Sequence, residues 1–420
     1  MSQADQPTQY QIGKLEIDGR DIKGLLVSLD YYESIYIPAT GGTLTIMDSS
    51  HAGFIEENNI EFIEDFKFEF TNAEGESIQF EGKLNGLKNE MYKQQKKYYG
   101  IDYTSEPVRK NEQEFIVQRF KNKKPKKIVE DMVKKIGGKM DKSSTGGENM
   151  NFMANRRRPT DIIRHVCTHG LSGKSSVEDP STSDGKPQEK KMKGTTGFLC
   201  WETLDGYRFA SVKDVMEGNA GNDTGEYEYK LMNHGESLSE AMKSIVDVQF
   251  QQIGDYQSHQ RGGAFINKYI SYDLDKGIYC EFEQKDQEET TSKMKEETKE
   301  ATRFFCQAYQ PERFQVDCQK AEENKWDQKR KYLSQNAVSQ NTAPDTLGMF
   351  TIPPSPKIRA GDSFKCKIFK VYSEGNGGFD KKHSGKYVVK QVGHHFLGDG
   401  TAYTRLNTMR STKQQNDASS

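Results

Sequence analysis

The sequence predicts a mainly β protein with α insertions (α+β), built around one antiparallel β-domain that occurs twice. Three observations predict this fold class. Apolar and polar residues alternate through residues 1–106, the period becomes helical after residue 124, and the first pattern returns in the same order from residue 246. With 420 residues, the chain is long enough for two or three domains.

Residues 1–106 are predicted to form the first β-domain, an antiparallel barrel or sandwich. Phe66, Phe68 and Phe70 alternate with charged residues, as in a strand with one buried face. Residues 72–75 (NAEG) are typical of a turn, and residues 78–80 continue the hairpin. Residues 25–31 and 43–47 supply two further strands, with Gly41 and Gly42 leading the second.

Residues 107–225 are predicted to form a mixed α/β domain. Apolar residues within 125–136 recur on one helical face, and Pro125 suits a first turn. A second helix is predicted over residues 160–169, and a hairpin around Asp205-Gly206. Between them, residues 172–193 are mostly Ser, Lys, Asp and Gly, with almost nothing to bury, so we expect a mobile loop there.

Residues 226–280 and 346–411 are predicted to form the second β-domain, split by an insert. An offset of 221 residues, set by placing Gly262-Gly263 on Gly41-Gly42, brings residues 246–250 onto 25–29 and residues 264–266 onto 43–45. Further along, residues 364–368, 387–396 and 402–409 repeat the first domain's remaining strands in order. The insert, residues 281–345, is highly charged and expected to be partly helical, and residues 412–420 are expected to form a disordered tail.

Composition narrows the classes of function. The formal net charge of −2 provides no global basic field for nucleic acid or an anionic membrane. No apolar run approaches the ~18 residues of a membrane span, so we expect no membrane insertion. The six cysteines form no CxxC motif, which favours reduced thiols in a protein made in the cytoplasm.

Two motifs could hold a ligand, and each has a simpler interpretation. Gly173-Lys174-Ser175 resembles the end of a phosphate-binding loop, but Thr168 stands where that loop needs its first glycine. His165 and His169 share a helical face, yet no HExxH motif is present and Cys167 points away from that face. We therefore predict no cofactor and no metal site.

No catalytic site is predicted either. The 62 carboxylates contain no pair that the sequence marks as buried or coupled, and no GxSxG nucleophile elbow is present. Residues 156–158 (RRR) form a compact basic cluster before a helix, suited to a phosphate or an acidic partner, although a solvated loop is the simpler interpretation. The chain is thus expected not to be an enzyme.

The order of these elements resembles that of the baseplate central hub proteins of contractile-tailed bacteriophages. Residues 25–48 (LLVSLDYYESIYIPATGGTLTIMD) give an apolar strand, a Glu-Ser turn and a Gly-led strand ending in Asp. A helix (160–169), a Trp-bearing hairpin (198–209), residues 246–273 and a closing stretch (358–409) follow in the family's order. The resemblance covers most of the chain, and the order of the pieces carries it, since no single motif is diagnostic.

The resemblance implies two tail-tube-like β-barrel domains per chain and a homotrimer. Three chains would then form a pseudo-six-fold ring that joins the hexameric tail tube to a trimeric central spike. Baseplate wedge proteins would be further partners, and DNA would pass transiently through the lumen. The chain would reside in the tail baseplate of the virion after synthesis in the host cytoplasm.

A tube-like strand has one face toward the lumen and one toward the core. The alternation then predicts Ser28, Asp30, Thr43 and Thr45 as lumen-facing. It predicts a second set as the core of the ring strands: Leu44, Ile46, Val246, Val248 and Phe265. Two alternatives stay open, a tail-associated cell-wall hydrolase and a peripheral virion adaptor or receptor-binding module.

Overall fold

A computed structural model describes residues 6–49, 53–143, 146–147, 149–170, 172, 197–229, 237–252, 257, 261, 266–273, 278–285, 303–309, 346–369 and 378–410. Strands dominate, and the prediction of a mainly β fold with α insertions is confirmed. Most of the predicted loop at 172–193, most of the insert at 281–345 and the tail at 412–420 lie outside the described residues.

The first part of the chain contains seven strands and one short helix. In order these are β1 (Tyr10–Ile17), β2 (Arg20–Asp21), β3 (Leu26–Ser34), β4 (Gly41–Asp48), α1 (Phe54–Glu57), β5 (Asp65–Asn72), β6 (Ser77–Lys93) and β7 (Lys96–Ser105). The six longer strands all contribute to one buried core, so their sheet folds around it like a barrel. Phe66, Phe68 and Phe70 lie at its centre, where tilted ring contacts at centroid distances of 6.0 and 5.4 Å add to the burial of apolar area.

The middle of the chain alternates helices and short strands. It consists of α2 (Glu106–Gln113), β8 (Ile116–Lys123), α3 (Pro125–Lys135), β9 (Met140–Ser143), β10 (Met150–Arg157), α4 (Pro159–His169), β11 (Phe198–Thr203), β12 (Gly206–Ser211) and α5 (Val212–Met216). A proline opens both α3 and α4, where its missing N–H is not needed. The apolar faces of these helices pack with β8, β10, β11 and β12 in a second core.

The last part returns to strands. Its elements are β13 (Asp223–Tyr229), α6 (Leu238–Met242), β14 (Asp247–Gln252), β15 (Ile266–Asp273), β16 (Ile278–Lys285), β17 (Arg303–Tyr309), β18 (Thr346–Ile352), β19 (Ser363–Ile368), β20 (Gly385–Leu397) and β21 (Ala402–Arg410). Strands β13, β14 and β18–β21 surround a third core. Strands β15, β16 and β17 form a separate three-stranded sheet.

The two β-regions have the same strand order. The first runs β3-β4-β7-β6-β5-β1 and the second β14-β18-β21-β20-β19-β13. They differ at the final strand, since β1 pairs antiparallel with β5 whereas β13 pairs parallel with β19. A direct antiparallel pairing of β3 with β20 joins both regions into one sheet of thirteen strands.

One predicted strand match is wrong. The sequence offset placed residues 264–266 on 43–45, but Ile266 begins β15, which pairs with β16 and β17 and not with β14. The strand that pairs with β14, as β4 pairs with β3, is β18. Its Gly348 occupies the position of Gly42, opposite Phe250 as Gly42 is opposite Tyr31. The chain inserts β15–β17 between the two halves of this hairpin.

Candidate functional site, an assembly surface

The predicted lumen residues lie on one face of the sheet, opposite the core. In the β3–β4 pair, Asp30 is directly across from Thr43 and Ser28 from Thr45, and all four side chains are partly exposed. The intervening side chains, Leu29 and Leu44 among them, are fully buried in the first core. Whether this face lines a lumen remains a prediction.

The predicted core residues of the ring strands differ in how deeply they are buried. Leu44 and Ile46 are fully buried, and Val248 is partly buried against the third core. The prediction that Val246 is a core residue is wrong, because its side chain is 49% exposed. It lies just before β14, and Ile245 occupies the inward position instead. Phe265 lies outside the described residues.

Polar side chains on this face connect across six strands, and we call this set the polar row. The row starts on β21 with Tyr403, whose ring stacks on His395 of β20 at a centroid distance of 4.7 Å. His395 Nδ1 lies 2.7 Å from Asp30 Oδ1 on β3. On β4, the Thr43 hydroxyl donates to Asp102 Oδ1 of β7 over 2.8 Å. Because Asp30 is directly opposite Thr43 in the β3–β4 pair, the row extends from the second β-region into the first.

The row ends on β6. Lys88 Nζ lies 3.6 Å from Asp102 Oδ1 and donates to Thr43 Oγ1 over 3.2 Å. As the period of a strand requires, the neighbour of His395 points the other way: His394 is buried, with Nδ1 3.0 Å from Thr404 Oγ1. Burial lowers the pKa of His394 to about 3, so this side chain is neutral. The row contains two acidic groups, Asp30 and Asp102, and two basic groups, His395 and Lys88.

A buried polar network connects the two β-regions behind this face, and we call it the junction network. Its centre is Glu33 on β3, whose Oε2 accepts from the Ala360 N–H over 3.0 Å and whose Oε1 accepts from the Leu204 N–H over 2.8 Å. The Tyr31 hydroxyl also donates to Oε1, over 3.0 Å. One carboxylate therefore holds the first β-region, the β11–β12 hairpin and the second β-region together.

Two arginines complete the junction network. Arg208 Nη1 donates to Asp362 Oδ1 over 2.7 Å and to the Ala360 carbonyl over 3.1 Å. Arg359 Nε donates to Asp205 Oδ2 over 3.0 Å and lies 3.9 Å from Glu33 Oε1. Buried charges are stable only when they are paired and hydrogen-bonded in this way.

Burial perturbs two carboxyl groups near this network. It raises the pKa of Glu33, which Arg359 and the donated hydrogen bonds partly offset, and it raises the pKa of Glu202 to about 7. Such shifts often mark catalytic acids when the group lines a cleft. Here both side chains are buried, and Glu202 Oε2 already accepts from the Ser105 hydroxyl and the Thr40 N–H. Their partners indicate a structural role.

The motifs weighed as ligand sites show no built site in the part of the chain that the model covers. The His165 and His169 rings stack at 4.2 Å, and His169 Nδ1 lies 3.0 Å from the His165 carbonyl oxygen. Among the described residues, no three His, Cys, Asp or Glu side chains are grouped as a metal site requires. Within the same residues, no helix combines the length and apolar character needed to cross a membrane. Lys174 and Ser175 are not described.

Sequence reasoning missed the long arm of β6. Beyond residue 84, this strand continues to Lys93 beside β7 only, and its other edge is unpaired among the described residues. The arm turns at Gln94 and Gln95, both with positive φ (52° and 62°). A two-residue turn of this kind usually contains Asn or Gly, so a hairpin could not be predicted here from the turn residues.

Comparison with known proteins supports the fold assignment. The chain is similar to a tail protein from Neisseria meningitidis MC58, with a TM-score of 0.56 and 8% identity over 98% of this chain and 99% of that one. It is also similar to the 43 kDa tail protein of prophage MuSo2 from Shewanella oneidensis, with a TM-score of 0.56 and 10% identity over 95% and 98% of the two chains.

The chain shares the fold of these tail proteins. No protein-family model and no curated protein matches the sequence. At 8–10% identity the likeness concerns the fold alone, and the coverage extends over nearly the whole of both tail proteins.

Proposed function

We propose that this chain is a structural hub subunit of a phage tail baseplate, and that three copies close a pseudo-six-fold ring between the tail tube and the central spike. The proposal includes a virion location, contacts with wedge proteins and no catalytic role. One observation carries it. The two β-regions are joined edge to edge by β3 and β20, and the counterparts of these two strands have open edges among the described residues.

The two β-regions correspond at most paired positions, although β6 has one further bulge, between Leu87 and Asn89, that β20 lacks. Ile101 pairs with Leu44 and Leu87 in the first region, and Leu406 pairs with Phe350 and Val392 in the second. Both long strands also contain a bulge at the equivalent place, between Leu84 and Gly86 in β6 and between Val389 and Gln391 in β20. Unrelated sheets rarely have bulges at the same place, because each bulge sets the pairing register of the strands around it.

The pairing of β20 with β3 inside one chain, which we call the internal junction, indicates how the open edges of two chains would pair. Within the chain, the second half of β20 pairs with β3, His395 being opposite Asp30 and Phe396 opposite Leu29. The counterpart of β20 is β6 and the counterpart of β3 is β14. Among the described residues, β14 and the second half of β6 each lack a partner on the corresponding edge. We therefore infer that β6 of one copy pairs with β14 of the next.

Exposure along the β6 arm supports this pairing. Tyr92 is 73% and Leu87 39% exposed, whereas their counterparts at the internal junction, Phe396 and Val392, are 2% and 0% exposed. Large apolar side chains on an open edge are normally avoided, because they promote association. Pairing of β6 with β14 would bury them as the internal junction buries their counterparts.

The ring follows from repeating one contact. Each copy presents β14 at one end of its sheet and the arm of β6 in the other region, so the contact is head-to-tail. Repeated with a rotation that closes, such a contact forms a ring. The number of copies comes from the family resemblance, in which three chains supply six tube-like domains. The polar row would face the lumen, where its nearly balanced charge would give DNA phosphates no basic lining to bind.

The first test is the solution mass, followed by a cross-link. Light scattering is expected to give about three times the 47.9 kDa chain mass at high concentration. For the contact, the equivalence places Met91 of one copy opposite Gln249 of the next. Met91→Cys with Gln249→Cys should yield disulfide-linked trimers on oxidation, since directly opposed residues approach disulfide geometry.

Control variants test whether the cross-link depends on the proposed pairing of β6 with β14. Each single cysteine variant, and the pair Met91→Cys with Gln251→Cys, displaced by two positions, should give little product. The native thiols of Cys200 and Cys366 are buried but Cys167 is partly exposed, so the parent chain, oxidised in parallel, is the control for cross-links through native cysteines. A strict monomer at every concentration would contradict the ring, whereas a trimer without the expected cross-link would contradict only the β6–β14 contact.

A further inference from the structure

A second group of exposed apolar side chains lies away from the ring edges. Phe115, Val117 and Met153 are 50–65% exposed and lie on or beside the β8–β10 ribbon of the middle region. Neither strand has a partner other than the other one among the described residues, so both outer edges are open. The ring contact does not involve this ribbon.

The ribbon has one buried and one exposed face. Ile116, Phe120 and Ala154 point into the second core, which anchors the ribbon on α3 and α4. Val117 and Arg119 point outward from β8, and Met153, directly opposite Arg119, points outward from β10. A two-stranded ribbon is close to the smallest stable sheet, and a third strand would extend it.

Exposed basic side chains cluster on and beside the ribbon. Arg119, Lys121, Arg156 and Arg157 are exposed and have no ion-pair partner in the part of the chain that the structure describes. Arg158 is paired with Glu112 at 2.9 Å. The guanidinium carbons of Arg156 and Arg158 lie 5.6 and 5.5 Å from the ring centroid of Phe115, which orients both cations at the edge of the ribbon.

We propose that this face binds an extended acidic segment of a partner protein, which adds to the ribbon as a third strand. One of the two open edges would bind the segment's backbone, and the arginines would bind its carboxylates. Val117 and Met153 would contact its intervening apolar residues. The site is independent of the proposed ring. A segment in which acidic and apolar residues alternate would match the basic and apolar side chains of this ribbon.

The same features favour a peptide over single-stranded nucleic acid. Nucleic-acid binding surfaces combine cations with free aromatic rings on which bases stack. The aromatic ring beside this face is Phe115, and two guanidinium groups already occupy positions near it. Val117 and Met153 offer no stacking surface, whereas both suit the side chains of a strand.

The test is a selection from a random peptide library of about ten residues, enough for one strand. The full chain serves as bait, and the double variant Arg119→Glu/Arg156→Glu removes peptides that bind elsewhere. We expect enrichment of peptides in which Asp or Glu alternates with apolar residues. Their affinity, measured by fluorescence anisotropy, should fall about tenfold or more in the double variant and decrease with added salt.

Lys365→Glu, an exposed lysine on β19, is the matched control and should leave the affinity unchanged. Both replaced arginines are exposed, so the double variant should retain the circular dichroism spectrum and melting temperature of the parent. Enriched peptides that are not acidic, or that bind the double variant equally well, would overturn the proposal. So would the absence of enrichment, or preferential binding of a single-stranded oligonucleotide to this face.

Discussion

At the scale of single residues, Glu202 couples the stability of the fold to pH. Burial raises its pKa from the ordinary value of 4.5 to about 7. A carboxyl group with a raised folded-state pKa binds its proton more tightly in the folded chain than in the unfolded chain. The free energy of unfolding therefore falls as the pH rises from 4.5 to 7, by about 3 kcal/mol, and then levels off.

Glu202→Gln should remove this dependence. The glutamine oxygen can still accept from the Ser105 hydroxyl and the Thr40 N–H, but the side chain cannot ionise. In urea unfolding followed by circular dichroism, the variant should be the more stable protein above pH 7 and should lose its advantage toward pH 4.5. Glu57→Gln, at an exposed position of α1, should follow the parent. A Glu202→Gln variant with the parent's pH profile would show that burial of this carboxyl does not control the stability.

At the scale of secondary-structure elements, the alternation of apolar and polar residues predicts strands well where one face of the strand is buried. It is sufficient for β5 and β19, whose inward residues fill equivalent places in two cores. It is not sufficient for pairing, because a short apolar stretch after a glycine pair is not unique. Residues 264–266 fit the pattern of β4, but the true counterpart, β18, follows only after the β15–β17 insertion.

Part of the polar row could also be predicted from the sequence, because strand periodicity identifies outward-facing positions. The outward positions of β3 and β4 follow from the period of a strand, and so do Asp30 and Thr43. Their partners in the polar row, His395 and Asp102, depend on strand register over long sequence separations, which no local pattern contains. The open β6 edge was missed because residues 88–97 are mostly polar and turn without glycine or asparagine.

The two faces of β4 should respond differently to one substitution. Ile46→Asp places a charge in the first core, where Ile46 is fully buried, and should cost about 4 kcal/mol or more, enough to prevent folding. Thr45→Asp, one position away on the polar face, should leave the protein folded. Soluble yield and thermal unfolding measure both effects. Normal folding of Ile46→Asp would contradict the assignment of the core face.

At the scale of the whole molecule, the chain already contains one copy of the contact that we propose for assembly. The β3–β20 pairing, with the junction network behind it, holds two like β-regions side by side. The insertions leave that relation intact, because they enter between strands and not within the shared sheet. Assembly would then repeat, between copies, a geometry that folding has built within each copy.

This relation predicts that ring formation and folding of the single chain can be separated. Tyr92 is largely exposed, so Tyr92→Glu should leave the melting temperature of the dilute protein unchanged while it disfavours the β6–β14 contact. In the parent, association should raise the melting temperature with protein concentration, since the assembled state binds only folded chains. Tyr92→Glu should remove that concentration dependence and the trimer mass, whereas Val117→Glu, at an exposed apolar residue of the β8–β10 ribbon, should retain both. A Tyr92→Glu protein that still trimerises would require a contact other than the β6 arm.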